Sequence, residues 1–229
     1  MLAYWLLYAI PAIPAFSLGT RQRGLVLPLW VLVGLIFTLA IGFRYQVGGD
    51  WSNYLFHYHH TIGKPLSRVA ISDPGYAFLN WIMARWHLGI YGVNTVCGAV
   101  FIAGLLVYCR QLPAPWLGFA VAVPYLIIVM AMGYTRQSVA LGFFFLALAA
   151  IERDKFLQYL IWVALGATFH KSAVLLVPLE FFFTERVGSG ALSRYSRRRM
   201  AYGTCCWRSI RIASGENTSI SRWSRRVRG

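Results

Sequence analysis

The chain has 229 residues, of which 58% are hydrophobic and only 13% are charged, with a formal net charge of +15. Because soluble domains usually carry about 25% charged residues, this composition excludes an ordinary soluble domain and indicates a membrane protein. Much of the excess charge lies in the last 42 residues, 188–229, which hold 10 Arg and 1 Glu. No feature of the chain predicts nucleic-acid binding despite this charge.

The apolar runs predict an all-α fold, a polytopic transmembrane helix bundle of about seven spans, since a crossing helix needs about 20 apolar residues. The first run has no basic residue before it, so it is predicted to be a retained span and not a signal peptide. The last three runs are short and are separated only by E-R-D-K and H-K. The predicted spans are 2–18, 25–43, 91–109, 114–133, 137–151, 156–169 and 172–183.

Residues 74–90 predict a different kind of helix. Their apolar residues recur at helical spacing: Tyr76, Leu79, Ile82, Met83, Trp86 and Ile90. Arg85 and His87 disfavour a lipid-facing crossing, and Pro74 suits a helix start. We therefore predict a short external helix that is amphipathic or re-entrant.

Basic residues in the short loops favour an external N-terminus. This orientation brings five polar residues to the external ends of different spans: Arg44, Asp50, Arg136, His170 and Lys171. Ionisable groups at membrane depth are costly and tend to mark function, so one pocket is predicted. The alternative is that the two arginines only extend to lipid headgroups, as flanking arginines do.

Three motifs follow one another along the chain: F-R-Y-Q-V-G-G-D-W-S-N-Y, D-P-G-Y-A-F-L-N-W-I-M-A-R-W, and a segment that runs from R-Q-x-x-A to F-H-K-S-A. Together they resemble the EpsG family, Wzy-like polytopic membrane proteins of bacterial exopolysaccharide and capsule biosynthesis. The first motif is similar to the family's R-x-x-x-G-x-D-x-x-x-Y signature. The resemblance covers roughly residues 40–180.

The resemblance implies a glycosyltransferase-type polymerase in the bacterial inner (cytoplasmic) membrane. Its substrate would be an oligosaccharide repeat unit on a polyprenyl diphosphate, and no cofactor is expected. Membrane lipids and other polysaccharide-assembly proteins are the further expected partners. Two alternatives stay open: a transporter or flippase for the same lipid-linked unit, and a non-catalytic membrane subunit of an assembly complex.

The candidate site residues come from these motifs. Arg44 and Arg136 are predicted to bind the diphosphate, because guanidinium grips phosphate through two parallel hydrogen bonds. The other predicted substrate-binding residues are Gln137, Lys171 and Tyr54. Asp50 and His170 are the candidate bases for the acceptor hydroxyl. Asp50 has the alternative of pairing with Arg44, and His170 that of bonding to backbone.

Metal binding is not predicted. His57, His59 and His60 lack carboxylate or cysteine partners at ligand spacing. The four cysteines show neither a metal pattern nor a disulfide pattern.

Composition divides the chain into a transmembrane domain, 1–187, and a basic Arg- and Ser-rich tail, 188–229. The tail has 10 Arg and 8 Ser but no Lys. Since EpsG-family proteins usually continue past F-H-K-S-A with further spans, we predict a frameshifted tail on a truncated polymerase. The alternative is a genuine disordered tail that attracts anionic lipids.

Overall fold

The computed structural model of the chain describes residues 2–17, 26–69, 73–153 and 155–176. Over these ranges the chain is helical and has no β-strand, which confirms the predicted all-α class. The predicted tail, 188–229, and residues 177–183 of the last predicted span lie outside the described residues.

The described ranges contain nine α-helices, one π-helical segment and one 3-10 helix. In chain order they are α1 (Leu2–Ser17), α2 (Val26–Gly42), α3 (Trp51–Thr61), α4 (Leu66–Val69), α5 (Pro74–Arg85), α6 (Gly89–Cys109), α7 (Pro115–Ala122), the π segment (Val123–Ala131), α8 (Thr135–Ile151), α9 (Phe156–Phe169) and the 3-10 helix (Lys171–Leu176). Each predicted span before residue 170 has a helical counterpart whose ends agree to within about two residues, the usual uncertainty of helix ends.

Length separates α6 from the other apolar helices. Within the described residues, α6 alone is both long and apolar enough to cross a bilayer, with 21 residues and a mean hydropathy of 2.0. The helices α1, α2, α8 and α9 are apolar but have 14 to 17 residues. A 14-residue helix extends only about 21 Å, whereas the hydrocarbon core is about 30 Å thick. About seven crossings therefore stays a prediction.

The predicted span 114–133 is not one regular helix. After α7 the chain continues as the π segment, and the helix is interrupted at Tyr134 before α8 begins. π-Helical turns are rare and frequently occur at functional sites. The interruption matters here because α8 begins directly after it, with Arg136 in its first turn.

Aromatic side chains hold α2 against α7. The rings of Trp30 and Trp116 stack with centroids 4.0 Å apart and an interplanar angle of 17°. Phe119 sets its edge against both Trp30 and Phe37. These four side chains are buried, and aromatic pairs of this kind contribute about 0.5–1.5 kcal/mol beyond their burial.

The helices α6 and α8 approach each other at backbone distance. A Cβ added to Gly142 would lie 2.7 Å from the Cα of Phe101. Glycines are frequent where membrane helices pack this closely. The contact fixes α8 on α6, so the first turn of α8 has a defined place relative to the loops around it.

The sequence prediction missed α3, because residues 51–61 are mostly polar or aromatic and form no apolar run. The helix has a buried stripe at helical spacing, formed by Trp51, Tyr54, Tyr58 and Thr61. These side chains pack against α5 and α6. The helix α5 corresponds to the short helix predicted at 74–90, and it buries Tyr76, Asn80 and Met83.

Candidate functional site

A cavity of about 340 Å³ lies where five segments of the chain meet. The segments are the loop before α3, the first turn of α3, the residue before α5, the first turn of α8, and the junction after α9. The lining residues are Asp50, Tyr54, Asp73, Arg136, Gln137, His170 and Lys171. All but Gln137 have a titratable side chain, so the cavity can bind charged groups and exchange protons with a ligand.

Three helix N-termini contribute to this lining. Asp50 immediately precedes α3, Asp73 precedes α5, and Arg136 and Gln137 lie in the first turn of α8. Helix N-termini carry partial positive charge and unpaired N–H groups, which favour anions. Neither aspartate caps its own helix through its side chain, so both carboxylates are directed to other partners.

Arg136 is held in place from several sides. Its Nη1 donates to Oδ2 of Asp73 at 2.9 Å. The guanidinium carbon also lies 5.6 Å from the ring centre of Tyr54 and 5.5 Å from that of Tyr76. A cation over aromatic faces at these distances gains about 0.5–2 kcal/mol. The guanidinium is thus oriented before any ligand arrives, and the side chain keeps 25% of its surface exposed.

Tyr54 joins α3 to the cavity. Burial raises the pKa of its hydroxyl, the negative charge of Asp50 raises it further, and Arg136 opposes both effects. The phenol is therefore neutral at pH 7 and can donate a hydrogen bond from the cavity wall. The carboxylate of Asp50 accepts from Nδ2 of Asn53 at 3.3 Å, which orients it from the first turn of α3.

His170 directly follows the end of α9 and lines the cavity together with Lys171. Its backbone is extended, with φ −152° and ψ 120°, and its N–H donates to the carbonyl of Gly166 at 3.0 Å. Lys171 follows as the first residue of the 3-10 helix. Among the described residues, Lys171 makes no ion pair, so its ammonium is available to an anion.

The structure brings six of the seven predicted site residues to one cavity: Asp50, Tyr54, Arg136, Gln137, His170 and Lys171. Arg44 is the exception. It is buried, with 5% of its surface exposed, and it does not line the cavity. Its direct contact with substrate stays a prediction.

Arg44 instead connects the ends of two helices. Its Nη1 donates to the carbonyl oxygen of Ala131, the last residue of the π segment, and its Nη2 donates to Oγ1 of Thr135, the first residue of α8. Thr135 in turn donates to Oδ1 of Asn94 on α6 at 3.4 Å. The alternative pairing of Arg44 with Asp50 is wrong, because the ion pair found among the described residues joins Arg136 to Asp73.

Asp73 is the cavity residue that the sequence prediction missed. The proline of the D-P-G-Y motif indicates a helix start, but the aspartate before it was not among the predicted site residues. The sequence does contain a signal for it. Asp73 is an acidic residue just before a helix, and it lies in one of the three motifs, of which the other two supply the other site residues.

No arrangement of three or more His, Cys, Asp or Glu side chains suited to a metal ion occurs in the described ranges. His57, His59 and His60 lie on α3, where His59 and His60 are in its last turn.

The EpsG family profile matches residues 27–192, which are 166 of the 229 residues. No curated protein and no solved structure matches the chain. The matched range contains all seven cavity residues and the apolar helix α6. Since this match covers well over half of the chain, the chain belongs to the EpsG family and is a membrane protein of polysaccharide biosynthesis.

Proposed function

We propose that the chain polymerises oligosaccharide repeat units carried on polyprenyl diphosphate, as a multi-pass protein of the bacterial inner membrane with its cavity on the external side. The observation that carries the proposal is the composition of that cavity. It combines two cations, Arg136 and Lys171, with two candidate bases, Asp50 and His170.

The two cations in the cavity suit a negatively charged diphosphate leaving group. In the proposed reaction, an acceptor hydroxyl attacks the anomeric carbon of the donor sugar. The bond from that carbon to the diphosphate oxygen breaks, and the oxygen leaves with the electron pair. Arg136 and Lys171 stabilise the negative charge that develops there, and the nearby helix N-termini assist. Asp73 and Tyr54 orient the guanidinium, so little reorganisation is needed during the reaction.

The acceptor hydroxyl loses its proton as the new glycosidic bond forms. Asp50 and His170 lie in the same cavity as the cations, so either can accept this proton. Asp50 has the stronger support, because the amide of Asn53 orients its carboxylate. A base oriented by a third group is the usual arrangement in enzymes that activate a nucleophile.

A flippase for the same lipid-linked unit is the second candidate. A flippase needs polar groups along a path across the bilayer, whereas these polar residues gather where the N-termini of α3, α5 and α8 meet the C-terminus of α9. The clustering favours group transfer over translocation. A non-catalytic subunit has no evident need for oriented cations beside candidate bases.

The test is complementation of a deletion strain. Arg136→Lys keeps the charge but loses the bidentate fork, so the polysaccharide should be shorter at equal protein level. Arg110→Lys is the matched control, because Arg110 is exposed and follows the far end of α6. Wild-type chain length in Arg136→Lys would overturn the proposal. Repeat units trapped at the inner leaflet of the deletion strain would indicate a flippase, and unaltered polymer in that strain would indicate a subunit.

A further inference from the structure

The helix α3 has two faces of different character. One face packs inward through Trp51, Tyr54 and Tyr58. The opposite face is exposed, and four of its exposed residues share one helical stripe at positions i, i+3, i+4 and i+7. We call this stripe the α3 platform; it consists of Asn53, Phe56, His57 and His60.

Three rings form the centre of the α3 platform. Phe56 is 67% exposed. The ring of His60 lies nearly parallel to it, with centroids 6.0 Å apart and an interplanar angle of 28°. His57 sets its ring edge-on to Phe56 at 6.1 Å. The rings support one another, and the phenyl ring remains open to a ligand.

The α3 platform is continuous with the cavity. Its first residue, Asn53, donates to Asp50, which lines the cavity. His57 lies within electrostatic reach of the same site: partial burial of the exposed ring lowers the pKa of its imidazole, Arg136 and His60 lower it further, and Asp73 opposes them. A ligand held in the cavity can therefore extend directly onto the platform.

The chemistry of the α3 platform selects an uncharged, hydroxylated ligand. It contains no Lys, Arg, Asp or Glu, so it offers nothing specific to a diphosphate. A pyranose ring has one apolar face of C–H groups that packs on an aromatic ring, and hydroxyls that both donate and accept. The amide of Asn53 and a neutral imidazole can each do both.

We propose that the α3 platform is a glycan subsite, in which Phe56 stacks on a pyranose ring of the acceptor oligosaccharide next to the reacting unit. This inference rests on the proposed polymerase function. It assigns the acceptor to the α3 side of the cavity and leaves the diphosphate of the donor to Arg136 and Lys171.

The test measures glycan binding without polymerisation. The probe is an oligosaccharide of one or two repeat units, released by mild acid from the host's own polysaccharide and therefore free of diphosphate. Its affinity for the full chain in lipid nanodiscs is measured by saturation-transfer NMR and calorimetry. Phe56→Ala and Phe56→Leu should both weaken binding by about two- to tenfold, the range expected for loss of an aromatic contact, while Phe56→Trp should bind like wild type. Phe156→Ala is the control, because Phe156 is also exposed but lies at the opposite end of α9 from His170.

The leucine variant separates a sugar contact from a lipid contact. If Phe56 only inserts into the membrane interface, Phe56→Leu preserves that contact and binds the probe like wild type, which overturns the inference. Failure of the wild-type chain to bind the probe overturns it as well. Because the probe lacks the diphosphate, these results are independent of the Arg136→Lys polymer-length test. Failure of the glycan subsite can therefore be distinguished from failure of the proposed polymerase function.

Discussion

Gly48 lies directly against Gly133. A Cβ added to Gly48 would be 2.7 Å from the Cα of Gly133 and 2.8 Å from its carbonyl oxygen. Gly48 also has φ +97°, in the region that favours glycine. Gly133 immediately precedes the interruption between the π segment and α8, so this contact docks the loop that carries Asp50 onto the helix that carries Arg136. Arg44 reinforces the same junction from within.

Gly48→Ala should therefore damage the protein, whereas Gly49→Ala should not. In Gly48→Ala the new Cβ would clash with the backbone of Gly133, and alanine is strained at this positive φ. Together these effects should destabilise the fold by on the order of 1–3 kcal/mol. Gly49 is the matched control, because a Cβ there meets nothing within 4 Å. Thermal unfolding in detergent, followed by size-exclusion fluorescence, should show a lower melting temperature for Gly48→Ala only. Equal melting temperatures for the two variants would contradict this account of the loop.

Arg44→Lys should lower thermal stability even when no substrate is present. A single ammonium cannot reach both the Ala131 carbonyl and the Thr135 hydroxyl in the way that two guanidinium nitrogens do. A buried acceptor left unpaired costs about 1–3 kcal/mol. The polymer should shorten only as far as the amount of folded protein falls. A variant with wild-type melting temperature and short polymer would instead support direct substrate contact by Arg44.

Local patterns predicted most of the helices but only part of the site. The apolar runs predicted α1, α2, α6, α8 and α9, because burial or lipid contact needs continuous hydrophobic length. The helix α3 was missed because its buried residues are aromatic or polar, so they do not form an apolar helical pattern. The role of Arg44 depends on contacts with residues 87 and 91 positions away, which no local motif encodes. The partner of Arg136 lies 63 residues away and was missed for the same reason.

Asp73→Asn should shorten the polymer by releasing Arg136. The amide keeps the size of the side chain but removes the charge that holds Nη1 at 2.9 Å. The effects of substitutions at two residues in contact are not additive. Adding Asp73→Asn to Arg136→Lys should therefore shorten the polymer little more than Arg136→Lys alone. Glu152→Gln, just beyond the far end of α8, is the charge-matched control. Fully additive losses in the double variant would show that Asp73 acts independently of Arg136.

Asp50→Asn should lower the polymerisation rate more than His170→Gln. The carboxylate of Asp50 is oriented by Asn53 and lies beside Tyr54. Within the part of the chain that the structure describes, His170 is hydrogen-bonded through its backbone only. Loss of a general base typically costs about 10²–10⁴-fold in rate. Membrane vesicles supplied with the host's lipid-linked repeat unit allow the initial rate to be measured. We expect Asp50→Asn to lose most of this rate, while His170→Gln keeps most of it. The reverse pattern would assign the proton to His170, and wild-type rates in both variants would remove general-base catalysis from the cavity.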